Sequence, residues 1–178
     1  MESTSTEMIG FHCPRWKEFP EIDLYMDQVV SILEKHLSIF TEYKGEKIIT
    51  STMINNYVKQ KVVTPPLKKR YNREHLAYFF FVCIMKRILS ISEICDLIAC
   101  LTSNYSIEQS YDLFCDEIEV ALKAVFSAKD ITSNQQTNTA QELILLESAA
   151  LAFANKMYFQ VGIKNLTATF SSCNEKKR

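Results

Sequence analysis

Glycine and proline are scarce in this chain of 178 residues: there are three glycines and four prolines, and every proline precedes residue 67. Three glycines cannot build a glycine-rich phosphate cradle, and no Walker, Rossmann, G-x-S-x-G or H-E-x-x-H pattern occurs. The three histidines (12, 36, 75) are scattered, so an enzyme is not expected, and neither catalytic residues nor a cofactor are assigned. C-x-x-C pairs are also missing. The six cysteines (13, 83, 95, 100, 115, 173) read as small apolar core groups rather than metal ligands. Long apolar runs are absent: the longest, Ala77–Met85, falls well below the about 20 residues that span a bilayer. The polar, acidic start MESTSTE has no basic region before an apolar stretch, so no signal peptide and a cytoplasmic location are expected.

What is present is a polarised charge. From Lys44 to Ser90 ten Lys/Arg face Glu46 and Glu74, a balance of +8. From Ile91 to Glu147 two lysines face ten carboxylates, a balance of −8, although the whole chain carries only −1. Such a chain can offer a basic face to a polyanion while its acidic part stays clear.

Residues 1–9 read as disordered, and residues 1–20 as an extended arm whose Phe11, Trp16 and Phe19 lie in grooves on the body. Pro20 can open a helix Glu21–Phe40 with an apolar stripe through Leu24, Val29, Leu33 and Leu37, on which His36 is a partly buried, satisfied side chain. Thr50 or Ser51 caps the next helix, which buries Ile54, Tyr57 and Val58. Pro65 and Pro66 exclude helix from Lys61 to Tyr71, where Val62-Val63 and Arg70-Tyr71 can form the arms of a small β-hairpin with the lysines at its tip. Asn72 caps a helix Arg73–Leu89, and Ser90 and Ser106 each begin a capping box. Helices Ile107–Lys129 and Ala140–Val161 carry seams in steps of four and three, through Tyr111, Phe114 and Ile118 and through Leu146, Ala150 and Phe153. Whether these seams pair within one chain or between two stays open. A polar loop fills 130–139, Gly162 is a C-cap, and 163–178 is a loose tail.

The sharpest functional signal lies between Lys59 and Arg73. Lys59, Lys61, Lys68, Lys69, Arg70 and Arg73 occur there without a carboxylate. Beside them Thr50, Ser51, Thr52, Asn55 and Asn56 give the preceding helix a face of neutral hydrogen-bonding groups, the kind that reads base edges. The cations would grip phosphates and the helix would read sequence in double-stranded DNA. The aromatics Phe79–Phe81, Tyr111 and Phe153 could in addition line a pocket for a small effector of unknown identity, which is compatible with DNA binding.

Asn56-Tyr57, Val62-Val63-Thr64-Pro65-Pro66, Arg70-Tyr71-Asn72 and Leu89-Ser90-Ile91-Ser92-Glu93-Ile94 resemble, in order and spacing, the DNA-binding region of MerR-type regulators. The wider span from Phe11 to about Phe126 is similar to the bacterial family designated domain of unknown function 1836. The MerR resemblance implies a winged helix-turn-helix with a basic wing, and it adds Tyr57 and Tyr71 to the DNA-binding set. The expected architecture is therefore all-α with a small β-wing. A MerR-like winged helix-turn-helix over 21–103 precedes a helical, dimerising part over 104–162. The expected activity is that of a DNA-binding transcriptional regulator, a homodimer through its C-terminal helices. The turn glycine of MerR proteins is Lys61 or Val62 here, and an arginine of their reading helix is Asn55 or Asn56. Those departures keep an alternative open: a protein-interaction adaptor on a winged-helix scaffold that has lost DNA binding.

Overall fold

The computed structural model describes residues 2–41, 45–127 and 140–175, with backbone alone for 2, 3 and 168–175. It contains α1 (Glu2–Ile9), α2 (Met26–Leu37), α3 (Ser51–Lys59), α4 (Arg73–Met85), α5 (Ile91–Asn104), α6 (Ile107–Phe126) and α7 (Gln141–Glu175), with short 3-10 turns at Trp16–Glu18 and Ser38–Phe40. The all-α expectation holds. Among the described residues β structure is limited to two isolated antiparallel bridges, Leu24 with Tyr71 and Leu67 with Arg70.

Local capping chemistry sets most helix starts. Thr50 Oγ1 accepts from Met53 N at 3.2 Å, and Asn72 Oδ1 accepts from His75 N at 3.2 Å. Ser90 and Glu93 close a reciprocal box, Ser90 N donating to Glu93 Oε2 at 2.7 Å and Glu93 N to Ser90 Oγ at 3.3 Å. Ser106 and Gln109 do the same before α6. α2 begins five residues later than Pro20 suggests, because Leu24 is drawn into pairing with Tyr71. Leu24 N donates to Tyr71 O at 2.8 Å and Tyr71 N to Leu24 O at 2.9 Å. That partner takes the place given to Val62-Val63 in the expected hairpin.

α4 is the centre of the molecule. Ten of its residues, including Phe79, Phe80 and Phe81, are buried, as a helix apolar on every side requires. Phe80 sits edge-on to His36 at 6.0 Å, so that histidine is a half-buried packing partner. Phe81 lies 4.4 Å from Phe114, and Phe40 meets Phe153 at 5.1 Å. The effector pocket imagined among these rings is filled by the rings themselves. The cavity beside Ala77, Phe81 and Tyr111 holds about 20 Å³, room for barely one water.

The two seams pair within the chain. Phe114, Ile118, Ala121 and Leu122 of α6 and Leu146, Ala150, Phe153 and Met157 of α7 are all buried. The helices run in the same direction: Asn104, just before α6, donates to Glu142 at 2.7 Å near the start of α7, while Phe126 at the end of α6 meets Tyr158 at 5.4 Å. The loop read over 130–139 lies outside the described residues.

Both chain ends depart from expectation. α1 occupies part of the stretch read as disordered, with Met8 buried. α7 continues through Gly162 to Glu175, where a C-cap and a loose tail were expected. Among the described residues, and apart from the neighbouring backbone of α7 itself, nothing lies within 4 Å of the position a Cβ would take at Gly162. Gly162→Ala should therefore stabilise α7 by about 0.5–1 kcal/mol through helix propensity. Thermal unfolding should show a midpoint raised by about 1–4 °C.

Candidate nucleic-acid interface

α3 exposes Ser51, Thr52, Asn55, Asn56 and Lys59 on one side and buries Ile54 and Tyr57 on the other. Its exit is a Schellman turn: Val62 N donates to Tyr57 O at 3.0 Å and Lys61 N to Val58 O at 3.0 Å, with Lys61 left-handed at φ 58°. Lys61 thus occupies the conformation that glycine favours, and its side chain is exposed.

The second basic group stands on a two-residue turn. Arg70 N donates to Leu67 O at 2.9 Å, and the central residues Lys68 and Lys69 have φ of 48° and 62°. Two positive φ values in succession are the type I′ pattern, usually given to Asn-Gly, and each costs a residue with a Cβ about 1 kcal/mol. Both lysines are exposed, and among the described residues Lys59, Lys61, Lys68 and Lys69 form no ion pair. Leu67, at the same turn, is 76 % exposed.

Arg70 is held. Its guanidinium stacks 4.2 Å from the centre of the Tyr25 ring and donates to Tyr25 Oη at 2.6 Å. This aligns it at the surface beside the turn. Four other expected contacts are placed elsewhere. Arg73 donates to Phe19 O at 3.0 Å and reaches Pro20 O and Glu21, so it fastens the N-terminal arm. Tyr57 and Tyr71 are each 3 % exposed and belong to the core. Burial pushes the Tyr57 hydroxyl up to about 12 and raises that of Tyr71. Thr50 spends its side chain on the cap of α3. The exposed set is therefore Ser51, Thr52, Asn55, Asn56, Lys59, Lys61, Lys68, Lys69 and Arg70. Tyr25, which positions Arg70, stands outside the basic segment and carries no sequence signal of its own.

The acidic half has a role of its own. Glu119 Oε1 accepts from Arg15 at 2.8 Å, from Cys13 N at 2.9 Å, and lies 3.1 Å from His12 Nδ1. Asp116 binds Arg15 at 2.7 Å and Asp112 accepts from Trp16 N at 2.8 Å. These three carboxylates clamp the arm onto α6, away from the basic turn. Burial is the largest single influence and works against charge on both Arg15 and Glu119, but their mutual bond, together with the other neighbouring charges and the Cys13 N–H, outweighs it, raising the guanidinium pKa and lowering that of the carboxyl. Beneath them the Cys13 and Cys115 thiols lie 3.1 Å apart and fully buried, and desolvation raises the Cys115 pKa. Burial likewise pushes Cys83 up to about 12. No group of three or more metal-ligating side chains occurs among the described residues, nor is any described helix long and apolar enough to cross a membrane.

No curated protein and no solved structure matches the chain. A family model described as Domain of unknown function (DUF1836) matches residues 14–114. The match takes in the second half of the clamped arm, α2, α3, the basic turn, α4, α5 and the start of α6. Since that span exceeds half of its length, the chain belongs to the DUF1836 family.

Proposed function

We propose that this protein is a DNA-binding transcriptional regulator built on a MerR-like winged helix-turn-helix. α3 is the reading helix, with Ser51, Thr52, Asn55 and Asn56 towards base edges in the major groove. Lys59, Lys61, Lys68, Lys69 and Arg70 bind phosphates, and the Leu67–Arg70 turn serves as a minimal wing. The observation that carries this reading is the turn itself. Two adjacent lysines stand exposed in a left-handed conformation that costs stability, a form of strain that clusters at functional positions. The absence of any carboxylate between Lys47 and Arg73 leaves their field unopposed along the segment.

Binding to duplex DNA should weaken steeply with salt. With about five phosphates neutralised, log affinity against log salt falls with a slope of about −4 to −5. Fluorescence anisotropy over a salt series reads this directly, and a flat series would overturn the proposal. A second reading, an adaptor that uses this surface for a protein, is favoured by Leu67 and by Ile22, which is 71 % exposed two residues before the Leu24 that pairs with Tyr71.

A further inference from the structure

Cys13 and Cys115 are 102 positions apart in the chain, yet their sulfur atoms lie 3.1 Å from one another in the core. One thiol stands on the N-terminal arm and the other on α6, and neither is open to solvent. The Tyr111 hydroxyl sits beside them, donating to Pro14 O at 2.9 Å and lying 3.8 Å from Cys13 Sγ. Disulfide sulfurs are about 2.0 Å apart, so an approach of about 1 Å would join the pair. Cys13 lies in the irregular backbone between α1 and the turn at Trp16, where no helical ladder resists such an adjustment. We infer that Cys13 and Cys115 form a modification site: a hydroperoxide oxidises them to a disulfide, which ties the arm to α6 until a thiol reductant reopens it.

With the arm in place the thiols are inert, because apolar burial disfavours the thiolate that reacts. The way in is the arm itself. Its bonds to Glu119, Asp116 and Asp112 lie at the surface above the pair, and when they open together Cys13 meets water. Arg15, two positions on and released from its carboxylates, then favours the Cys13 thiolate. That thiolate attacks one peroxide oxygen. An S–O bond forms, the O–O bond breaks, and the departing hydroxide takes up the thiol's proton as water, leaving a sulfenic acid on Cys13. Once the arm settles back, the Cys115 sulfur attacks the Cys13 sulfur. The S–S bond forms, the S–O bond breaks, and hydroxide leaves with the Cys115 proton as a second water. Two thiols have given up two electrons, and one peroxide has become two waters. The loop so closed contains α2, α3, the basic turn, α4 and α5, and closing a loop of about 100 residues restrains the unfolded chain strongly.

The full chain is treated with hydrogen peroxide, its remaining thiols are alkylated, and it is cut at acidic and basic residues for mass spectrometry. Asp96, Glu108, Asp112 and Asp116 place Cys115 on a peptide separate from Cys95 and Cys100. A peptide pair joined through Cys13 and Cys115 is expected, together with a thermal midpoint raised by about 5–15 °C. Dithiothreitol should abolish both. Cys115→Ala should show neither, and if that variant does not fold, Cys13→Ala makes the same test from the arm. Glu119→Ala, which loosens the arm, should speed the linkage by about tenfold or more. Oxidation that reaches Cys100 while Cys13 and Cys115 stay unlinked, or a linkage that leaves the midpoint where it was, would overturn the site. Equal rates in wild type and Glu119→Ala would overturn the route through the arm. DNA enters none of these measurements, so their failure leaves the proposed function standing.

Discussion

Glu119→Ala is expected to lower the unfolding midpoint more than any other single surface change, by about 6–12 °C, corresponding to about 3 kcal/mol. One oxygen of Glu119 accepts from Arg15 and from Cys13 N and lies beside His12, and its side chain is only 13 % exposed. Removing it leaves the Cys13 N–H without its acceptor and a half-buried guanidinium with the exposed Asp116 as its one remaining ion-pair partner, beside its bond to Cys13 O, a situation in which a lost partner is costly. The arm it holds also carries Phe11, Cys13 and Phe19 into the core, so loosening one end exposes apolar surface. Tryptic cleavage after Arg15 and Lys17 should accelerate in parallel, which separates arm release from general destabilisation. The pH dependence has a definite sign. Burial raises the Glu119 pKa, the Arg15 and Cys13 bonds lower it more, and the net shift is downward. Folding therefore gains from Glu119 above its unfolded pKa of about 4.3, and the gain is lost as pH falls through the lower folded value. In the alanine variant that acid limb should be shallower. Wild type and variant should converge in stability towards low pH, and equal midpoints at pH 7 would dismiss the clamp.

The sequence was most legible where structure is decided within one turn. Ser90 with Glu93 and Ser106 with Gln109 start helices where their spacing indicates, because both partners of each bond lie three residues apart. The apolar seams through Phe114 and Ala150 were equally readable, since burial imposes the helical period on composition. What escaped depends on distant partners. Leu24 pairs with Tyr71, 47 positions on, and this delays α2. Gly162 resembles a helix end locally, yet its surroundings are open and the helix runs on, at a propensity cost of about 1 kcal/mol. In the sequence Asp112, Asp116 and Glu119 count only towards the acidic half, although steps of four and three place them on one side of α6. Their use became visible only with Arg15, about a hundred residues earlier, set against them. In the basic segment the charges were legible, whereas the division between exposed lysines and buried tyrosines was not. An aromatic at helical spacing serves a core or a nucleic-acid face equally well, and neighbouring elements decide which.

Lys68→Glu combined with Lys69→Glu should reduce duplex DNA affinity by on the order of 100-fold or more at moderate salt and bring the salt slope down by about two. The turn changes from three adjacent cations to a net single negative charge, so attraction to phosphates becomes repulsion. Folding should be nearly unaffected. Both side chains are exposed without an ion pair among the described residues, and glutamate tolerates a left-handed φ no worse than lysine does. A companion variant separates charge from shape. Lys68→Asn with Lys69→Gly installs the pair that a type I′ turn prefers, so the turn should become more stable while two charges disappear. If the lysines act by binding phosphate, this variant loses about tenfold in affinity and about two in slope despite a better-formed turn. If the turn's shape were what mattered, binding would hold or improve. Should neither variant change DNA binding, the regulator reading fails at its main support. The adaptor reading would then be tested at Leu67 and Ile22, whose exposed apolar surfaces are the other chemistry this corner of the molecule offers a partner.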